Sequence, residues 1–259
     1  MGFSRINLAI VGAQKCGTTA LAYFISQHPD IFVVNGKEGH VFDRPDIQSL
    51  SQNDLDGCYQ NIMNGYAKEP WVCDATPIYA YWQEIPRRIV EYNPDIKVIF
   101  MVRDPVDRAV SHYHMEKHRG HESAGILRAF MAEKKRLAND AGNTEWDSSL
   151  RHHSYLDRGV FSEQIKNLKK HIPEENLLLL SHQHLLTSHQ SALNTVFQFL
   201  NVEPVEVPPE QVFQGSYSSN GFQLRLARYY ASWILRGEKK RLQELCDIGA
   251  HLIDESSDK

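Results

Sequence analysis

The sequence predicts an α/β fold built as a single domain, with a central parallel β-sheet flanked by helices. Three observations carry the prediction. Short apolar runs recur at residues 6–11, 31–34, 97–102 and 177–180, and runs of this kind mark strands buried on both faces. Segments with apolar residues at helical spacing separate them, so strand and helix alternate throughout. No repeat and no linker divides the 259 residues, a length that suits one large α/β domain. Apolar residues make up 42% of the chain, enough for a sizeable core.

The first element organises the rest. Ile6 to Val11 is a strand, Gly12 to Thr19 a small-residue loop, and Leu21, Phe24 and Ile25 follow at helical spacing. In that order the loop amides and the helix N-terminus face one point and make an anion site. A nucleotide-triphosphate loop would read G-x-x-x-x-G-K-[ST]. Here the glycine spacing is kept, but Thr18 takes the lysine position and the cation, Lys15, sits inside the loop. A cation placed there meets a shorter phosphate chain and a group leaving from it. A cysteine-phosphatase loop around Cys16 is rejected because Ala22 stands where that chemistry wants arginine.

After a break at His28-Pro29, residues 31–34 form a short β-branched strand and Asn35-Gly36 a turn. The polar cluster Lys37 to Asp43 follows, well placed to reach the anion loop. Glu38 is its first candidate general base and His40 the second. Residues 49–64 read as a polar, irregular helix, and residues 71–77 as a short strand running into a turn. Tyr79, Tyr81 and Trp82 come next, and they suit either stacking on a ring beside a cleft or core packing. Ile85 to Tyr92 is a helix with Pro86 in its first turn.

Lys97 to Val102 is the second clear buried strand; it ends in Arg103, and a helix runs from Val106 to His118. An arginine at the carboxyl end of a buried parallel strand sits where open α/β sheets bind ligands. Its planar fork can clamp a second phosphate, with Ser111, two turns along, donating to the same group. The remaining elements are a helix and loop within 120–144, a helix over 160–171, a strand over 177–180 and a helix over 190–200. A loop spans 214–220. An amphipathic helical segment, 222–254, is interrupted near Gly237 and docks on the core, with a homodimer face as its second reading.

The net charge of −4 argues against nucleic acid and other polyanions as partners. Cys16, Cys58, Cys73 and Cys246 show no paired spacing, which suits reduced thiols. His112, His114, His118 and His121 crowd one stretch without a metal-ligand pattern. No apolar run approaches the ~20 residues that span a bilayer, and a signal-peptide pattern is lacking. The expectation is a cytoplasmic protein.

With both strand-end elements in hand, the chain resembles the sulfotransferases that use 3′-phosphoadenosine 5′-phosphosulfate (PAPS), and most of all the carbohydrate group that includes the heparan sulfate enzymes. The resemblance runs from Ile6 to about Leu235. Gly12-Ala-Gln-Lys-Cys-Gly-Thr-Thr19 is similar to that family's P-loop-like phosphosulfate-binding loop, and Arg103 to Ser111 to its 3′-phosphate element. Lys37-Glu-Gly-His-Val-Phe-Asp43 resembles the stretch whose glutamate is the base in the heparan enzymes. Arg158-Gly-Val-Phe161 and the run from Pro173 also follow the family's course. Two departures stand out. Asn220-Gly221-Phe222 replaces a basic residue before glycine, for which Arg225 or Arg228 can substitute. Ser181-His-Gln-His replaces an acidic pair.

The resemblance implies a donor, PAPS, leaving adenosine 3′,5′-bisphosphate, with no metal expected. Lys15 and Glu38 are the implied catalytic residues. Gln14, Lys15, Cys16, Gly17, Thr18, Thr19, Ala20, Arg103, Ser111, Asn220 and Gly221 are the implied donor-binding set. Lys37, His40, Tyr79 and His114 are expected on the acceptor side, where a hydroxyl or amine of a carbohydrate or small molecule would bind. A metabolite kinase and a non-catalytic nucleotide-binding module are the alternatives.

Overall fold

The computed structural model describes residues 5–210 and 221–245. Five strands, β1 (Leu8–Gly12), β2 (Ile31–Val33), β3 (Trp71–Asp74), β4 (Lys97–Val102) and β5 (Leu177–Ser181), form one sheet in the order β2-β3-β1-β4-β5. Every pairing is parallel. All five residues of β1 are buried. This is why the strand reads as an unbroken apolar run rather than an alternating one.

Around the sheet lie α1 (Thr18–Ile25), α2 (Gln52–Gln60), α3 (Ile85–Tyr92), α4 (Pro105–Arg119), α5 (Ile126–Asn139), α6 (Ser149–His152), α7 (Phe161–His171), α8 (His182–Thr187), α9 (His189–Leu200), α10 (Phe222–Ile234) and α11 (Glu238–Leu245). The longest, α4, has a full start signal. Pro105 is its first residue, and the Asp104 carboxylate accepts from the Asp107 amide at 2.8 Å. Asp104 is thus the cap of α4. The short helices α6 and α8 escape sequence reading because neither is long enough to show a period.

Two apolar cores result. The larger wraps the sheet. The smaller joins α4, α5 and α10 through Val106, Ala109, Phe130, Ala227 and Ala231. The helix break falls at Gly237, with φ +80°. Glu238, just beyond it, is fully buried and accepts from the Ser162 amide at 2.6 Å and hydroxyl at 3.0 Å at the start of α7. Residues 214–220 and 246–254 of the expected C-terminal features lie outside the described residues. No helix among the described residues is long and apolar enough to cross a membrane.

The topology positions the site. The connection leaving β1 runs to β2 on one side of the sheet, while that leaving β4 runs to β5 on the other. Between two such strands the loops diverge, and a crevice opens at their carboxyl ends.

Candidate active site

The loop after β1 and the tip of β4 meet in that crevice. Arg103 Nη1 donates to the Lys15 carbonyl oxygen at 3.2 Å, and the Ala13 amide to the Met101 carbonyl oxygen at 2.9 Å. Lys15 and Gly17 have φ of +69° and +88°, the left-handed conformation that turns the loop into α1. The first intrahelical bond is Leu21 N–H to the Gly17 carbonyl oxygen. The amides of Thr18, Thr19 and Ala20 precede it, and no side chain caps them. Such a helix start accepts an anion.

Electrostatics point the same way. Burial, with Arg119, Arg103 and Arg108 nearby, pushes the Lys15 ammonium below its ordinary pKa. Cations gathered in a desolvated cleft form a site that bound negative charge would relieve. Arg108 and Arg158 are fully buried beneath the loop. Arg108 donates to the Gln14 carbonyl at 3.5 Å and to the Tyr155 carbonyl, and Arg158 Nη1 reaches Gln14 Oε1 at 2.6 Å.

A third strand tip joins them. His182, the first residue after β5, packs so closely that a Cβ at Gly17 would lie 2.5 Å from its Cδ2. Burial and the nearby Arg103 push His182 down to about 4. Nothing in the sequence places it in the site; it belongs to Ser181-His-Gln-His, which departs from the family pattern.

The segment after β2 supplies the other wall. Lys37 Nζ bridges Thr19 Oγ1 at 3.2 Å and Glu38 Oε1 at 2.6 Å. Glu38 Oε2 faces His40 Nε2 at 3.2 Å, while His40 Nδ1 lies 2.9 Å from Asp43 Oδ2. Burial alone would raise Glu38, but His40 and Lys37 outweigh it and hold the carboxyl down to about 2. Burial would likewise lower His40, yet hydrogen bonds to Asp43 and Glu38 raise it to about 9. Arg151 completes the row. It pairs with Asp43 at 2.6 Å and lies between the rings of Trp82 and Trp146 at 4.5 and 4.2 Å.

This wall hangs on Asp74, fully buried at the end of β3. Its carboxylate accepts from Thr76, Tyr59 and Tyr79 hydroxyls and from the Gly39 amide, at 2.6 to 3.0 Å. A Cβ at Gly39 would come within 2.6 Å of the same carboxylate, so only glycine allows the approach.

Several expected roles change. Tyr79 is not an acceptor-side residue: it is fully buried, and its hydroxyl donates to Asp74 and accepts from the Val41 amide at 2.9 Å. Tyr81 and Trp82 instead carry the guanidinium groups of Arg158 and Arg151. The Cys16 amide does not face an anion, since it donates to the Ala13 carbonyl oxygen at 3.1 Å. Burial pushes the Cys16 thiol up to about 12, so it is packing. The Gln14 side chain is turned away, onto Arg158. His114 is half-buried, about 120° around α4 from Arg108, and its ring meets Tyr113. Ser111 lies on α4 with 9% of its surface exposed, and Gly221 caps α10; Asn220 is outside the described residues.

A cation-lined anion loop beside an ionised carboxylate can transfer a group from an anionic leaving oxygen to a nucleophile whose proton that carboxylate accepts. Residues 5–220 match the sulfotransferase domain family. Heparan sulfate glucosamine 3-O-sulfotransferase 6 of Mus musculus is 31% identical over 198 residues, covering 76% of this chain and 52% of that protein. Heparan sulfate glucosamine 3-O-sulfotransferase 3B1 of Homo sapiens is 29% identical, covering 76% of this chain and 46% of that protein. The chain spans about half the length of these curated relatives. A sulfotransferase from Alicyclobacillus acidocaldarius shares the fold, with a TM-score of 0.73 over 93% of this chain and 96% of that one, at 23% identity.

Proposed function

The chain belongs to the sulfotransferase domain family, and from that premise we propose that it transfers a sulfuryl group from PAPS to a hydroxyl or amine of an acceptor. The observation that carries this reading is the Arg103–Lys15 contact, which sets the β1 loop and the β4 tip side by side, as two grips on one doubly phosphorylated donor require. The donor's fit rests on the cationic, buried surroundings of Lys15 and on the uncapped start of α1.

Gly17 to Ala20 and the hydroxyls of Thr18 and Thr19 would hold the 5′-phosphate, and Arg103 and Ser111 the 3′-phosphate. When bound, PAPS supplies the sulfuryl group, which passes to the acceptor atom as its bond to the phosphate oxygen breaks. Lys15 presents positive charge to the oxygen left behind. Glu38 takes the acceptor's proton. His40, charged and donating to Glu38 and Asp43 together, fixes that carboxylate. Lys37 ties base to loop: an anion beside Thr19 competes for its ammonium, loosens its hold on Glu38 and raises the base's affinity for a proton. In this way donor binding readies the base.

The acceptor is a carbohydrate or small-molecule hydroxyl in this proposal. The curated relatives are named for glucosamine of heparan sulfate. Here, a cleft of about 240 Å³ lined by Arg44, Pro45, Asp46 and Trp146 opens beside His40, whose ring meets Trp146 edge-on at 5.8 Å. Arg44 is paired with Asp46 in that lining at 2.9 and 2.7 Å, so the aromatic ring beside a charge-balanced polar pair suits the ring and hydroxyls of a sugar. A reducing compartment is part of the proposal, because Cys16, Cys58 and Cys73 form no disulfide among the described residues.

The test is transfer of labelled sulfate from PAPS to a panel of glucosamine oligosaccharides, simple sugars and small alcohols. Label should appear in at least one acceptor, and Lys15→Ala should lower turnover by about two to three orders of magnitude, as loss of a leading charge-stabilising donor does. Near-normal turnover in Lys15→Ala would remove the lysine's role. No transfer to any acceptor, together with no binding of adenosine 3′,5′-bisphosphate, would overturn the donor assignment.

A further inference from the structure

The C-terminal end of α4 meets α6 in a cluster to which the proposed sulfuryl transfer assigns no step, although its Glu116 carboxylate lies near enough to Lys15 to favour the charged ammonium. Glu116 comes from the last turns of α4, His121 from the residues just after it, and His152 from α6. One carboxylate oxygen and one nitrogen from each histidine lie within 4.8 Å of one another. Glu116 is 1% exposed, while His121 is exposed and His152 half-buried.

The proton positions are the informative part. His152 Nε2 lies 2.9 Å from the Trp146 carbonyl oxygen, which can only accept, so Nε2 carries a proton and donates to it. The other nitrogen, Nδ1, lies 2.8 Å from Glu116 Oε2. In the tautomer that Trp146 selects, Nδ1 offers its lone pair on the side of the Glu116 carboxylate, so an imidazole nitrogen and a carboxylate oxygen are presented side by side. The His121 ring stacks on His152 at 4.0 Å with 17° between planes, which sets a second imidazole beside the first, and a rotation of the exposed His121 side chain turns its nitrogen toward the pair. Around the other carboxylate oxygen, His112 Nε2 stands at 3.7 Å and Arg119 at 3.9 Å, both beyond hydrogen-bonding distance.

We propose that Glu116, His121 and His152 bind one divalent transition-metal ion of the zinc type. Two imidazoles and one carboxylate are a zinc-type donor set that leaves a fourth position for water. The His152 bond to Trp146 is the outer contact that turns a lone pair toward a metal and fixes the ring. His153 Nε2 meets the His121 carbonyl oxygen at 3.1 Å and steadies the second ligand's backbone. The ion gives the buried carboxylate a full counter-charge. It also clamps α4, which follows Arg103, to α6, whose Arg151 holds Asp43. Its role is to brace the site's two walls, and it does not depend on the sulfuryl-transfer reading.

The experiment is calorimetric titration of tag-free, chelator-stripped protein with zinc chloride near neutral pH, repeated with cobalt chloride and visible spectroscopy. Wild type should bind one equivalent of zinc, show the cobalt bands of a low-coordinate nitrogen–oxygen site, and melt higher when loaded. The exposed His121 allows His121→Ala to fold with an unchanged melting point in the stripped state. That variant should lose more affinity than the about 10–100-fold that removing an outer contact costs, and its melting point should no longer respond to zinc. His152→Ala should behave alike toward zinc. Absence of stoichiometric binding to folded wild type would overturn the site in favour of a protonated His152–Glu116 pair. Undiminished binding in His121→Ala would place the metal elsewhere and overturn it equally.

Discussion

Glu38 and His40 pull each other's proton affinities apart, and this sets a pH window. Glu38 is held down to about 2, so its part of the pair is complete above the ordinary carboxylate range and is lost as pH falls toward 2. His40 is raised to about 9, so its part is complete below the free-imidazole value and is lost as pH rises through 9. A charged imidazole donates to Glu38 and Asp43 at once; a neutral one can serve only one of them. Turnover at saturating donor should therefore run level across neutral pH and fall near pH 9, and His40→Asn should abolish that alkaline limb. A break between about pH 6 and 7, where an unperturbed histidine titrates, would show that His40 is not paired as described. At this scale the sequence was informative wherever residues lie together in the chain: Lys15 in its loop, Glu38 and His40 in one polar cluster. It was silent on Arg108, and it placed Tyr79 on the wrong side of the wall. Those roles depend on partners far along the chain, such as Tyr155 for Arg108 and Asp74 and Val41 for Tyr79.

The elements were readable in proportion to their length. α3 and β4 have the bounds that their patterns suggest, and α7 differs by one residue, because each carries its period or apolar run in full. α8 is not marked in the sequence, yet it delivers His182 to the loop after β1. The contact between Gly17 and His182 ties the β1 loop to the β5 tip, so the two positions should act as one unit. Gly17→Ala adds a side chain at φ +88° and forces it into the imidazole. The backbone part of that penalty is about 1–2 kcal/mol; the collision adds to it. His182→Ala removes only the collision. A double-mutant cycle read on the affinity for adenosine 3′,5′-bisphosphate should show Gly17→Ala weakening binding severely and the double variant recovering part of the loss, a coupling within the about 0.5–3 kcal/mol found for residues in contact. Strict additivity would mean that the β5 tip does not shape the loop.

Across the whole molecule, the crevice lies where the sheet core meets the smaller core of α4, α5 and α10. Arg108 and Arg158 are fully buried there, and both guanidinium groups are pushed below their ordinary pKa, chiefly by burial. Such charge is costly to hold without a counter-ion, and the net charge of −4 on the chain as a whole does not cancel it locally. A ligand with two separated phosphates should then stabilise the entire fold, because it binds the native state alone. At a hundred times its dissociation constant the gain is about 2.7 kcal/mol, which for a chain of this size raises the melting point by about 5–10 °C. Adenosine 3′,5′-bisphosphate should produce that shift without added metal. Magnesium-ATP, whose longer phosphate chain finds Thr18 where a triphosphate loop has lysine, should produce little. The reverse order of effects would return the chain to the kinase reading and remove the proposed 3′-phosphate role of Arg103.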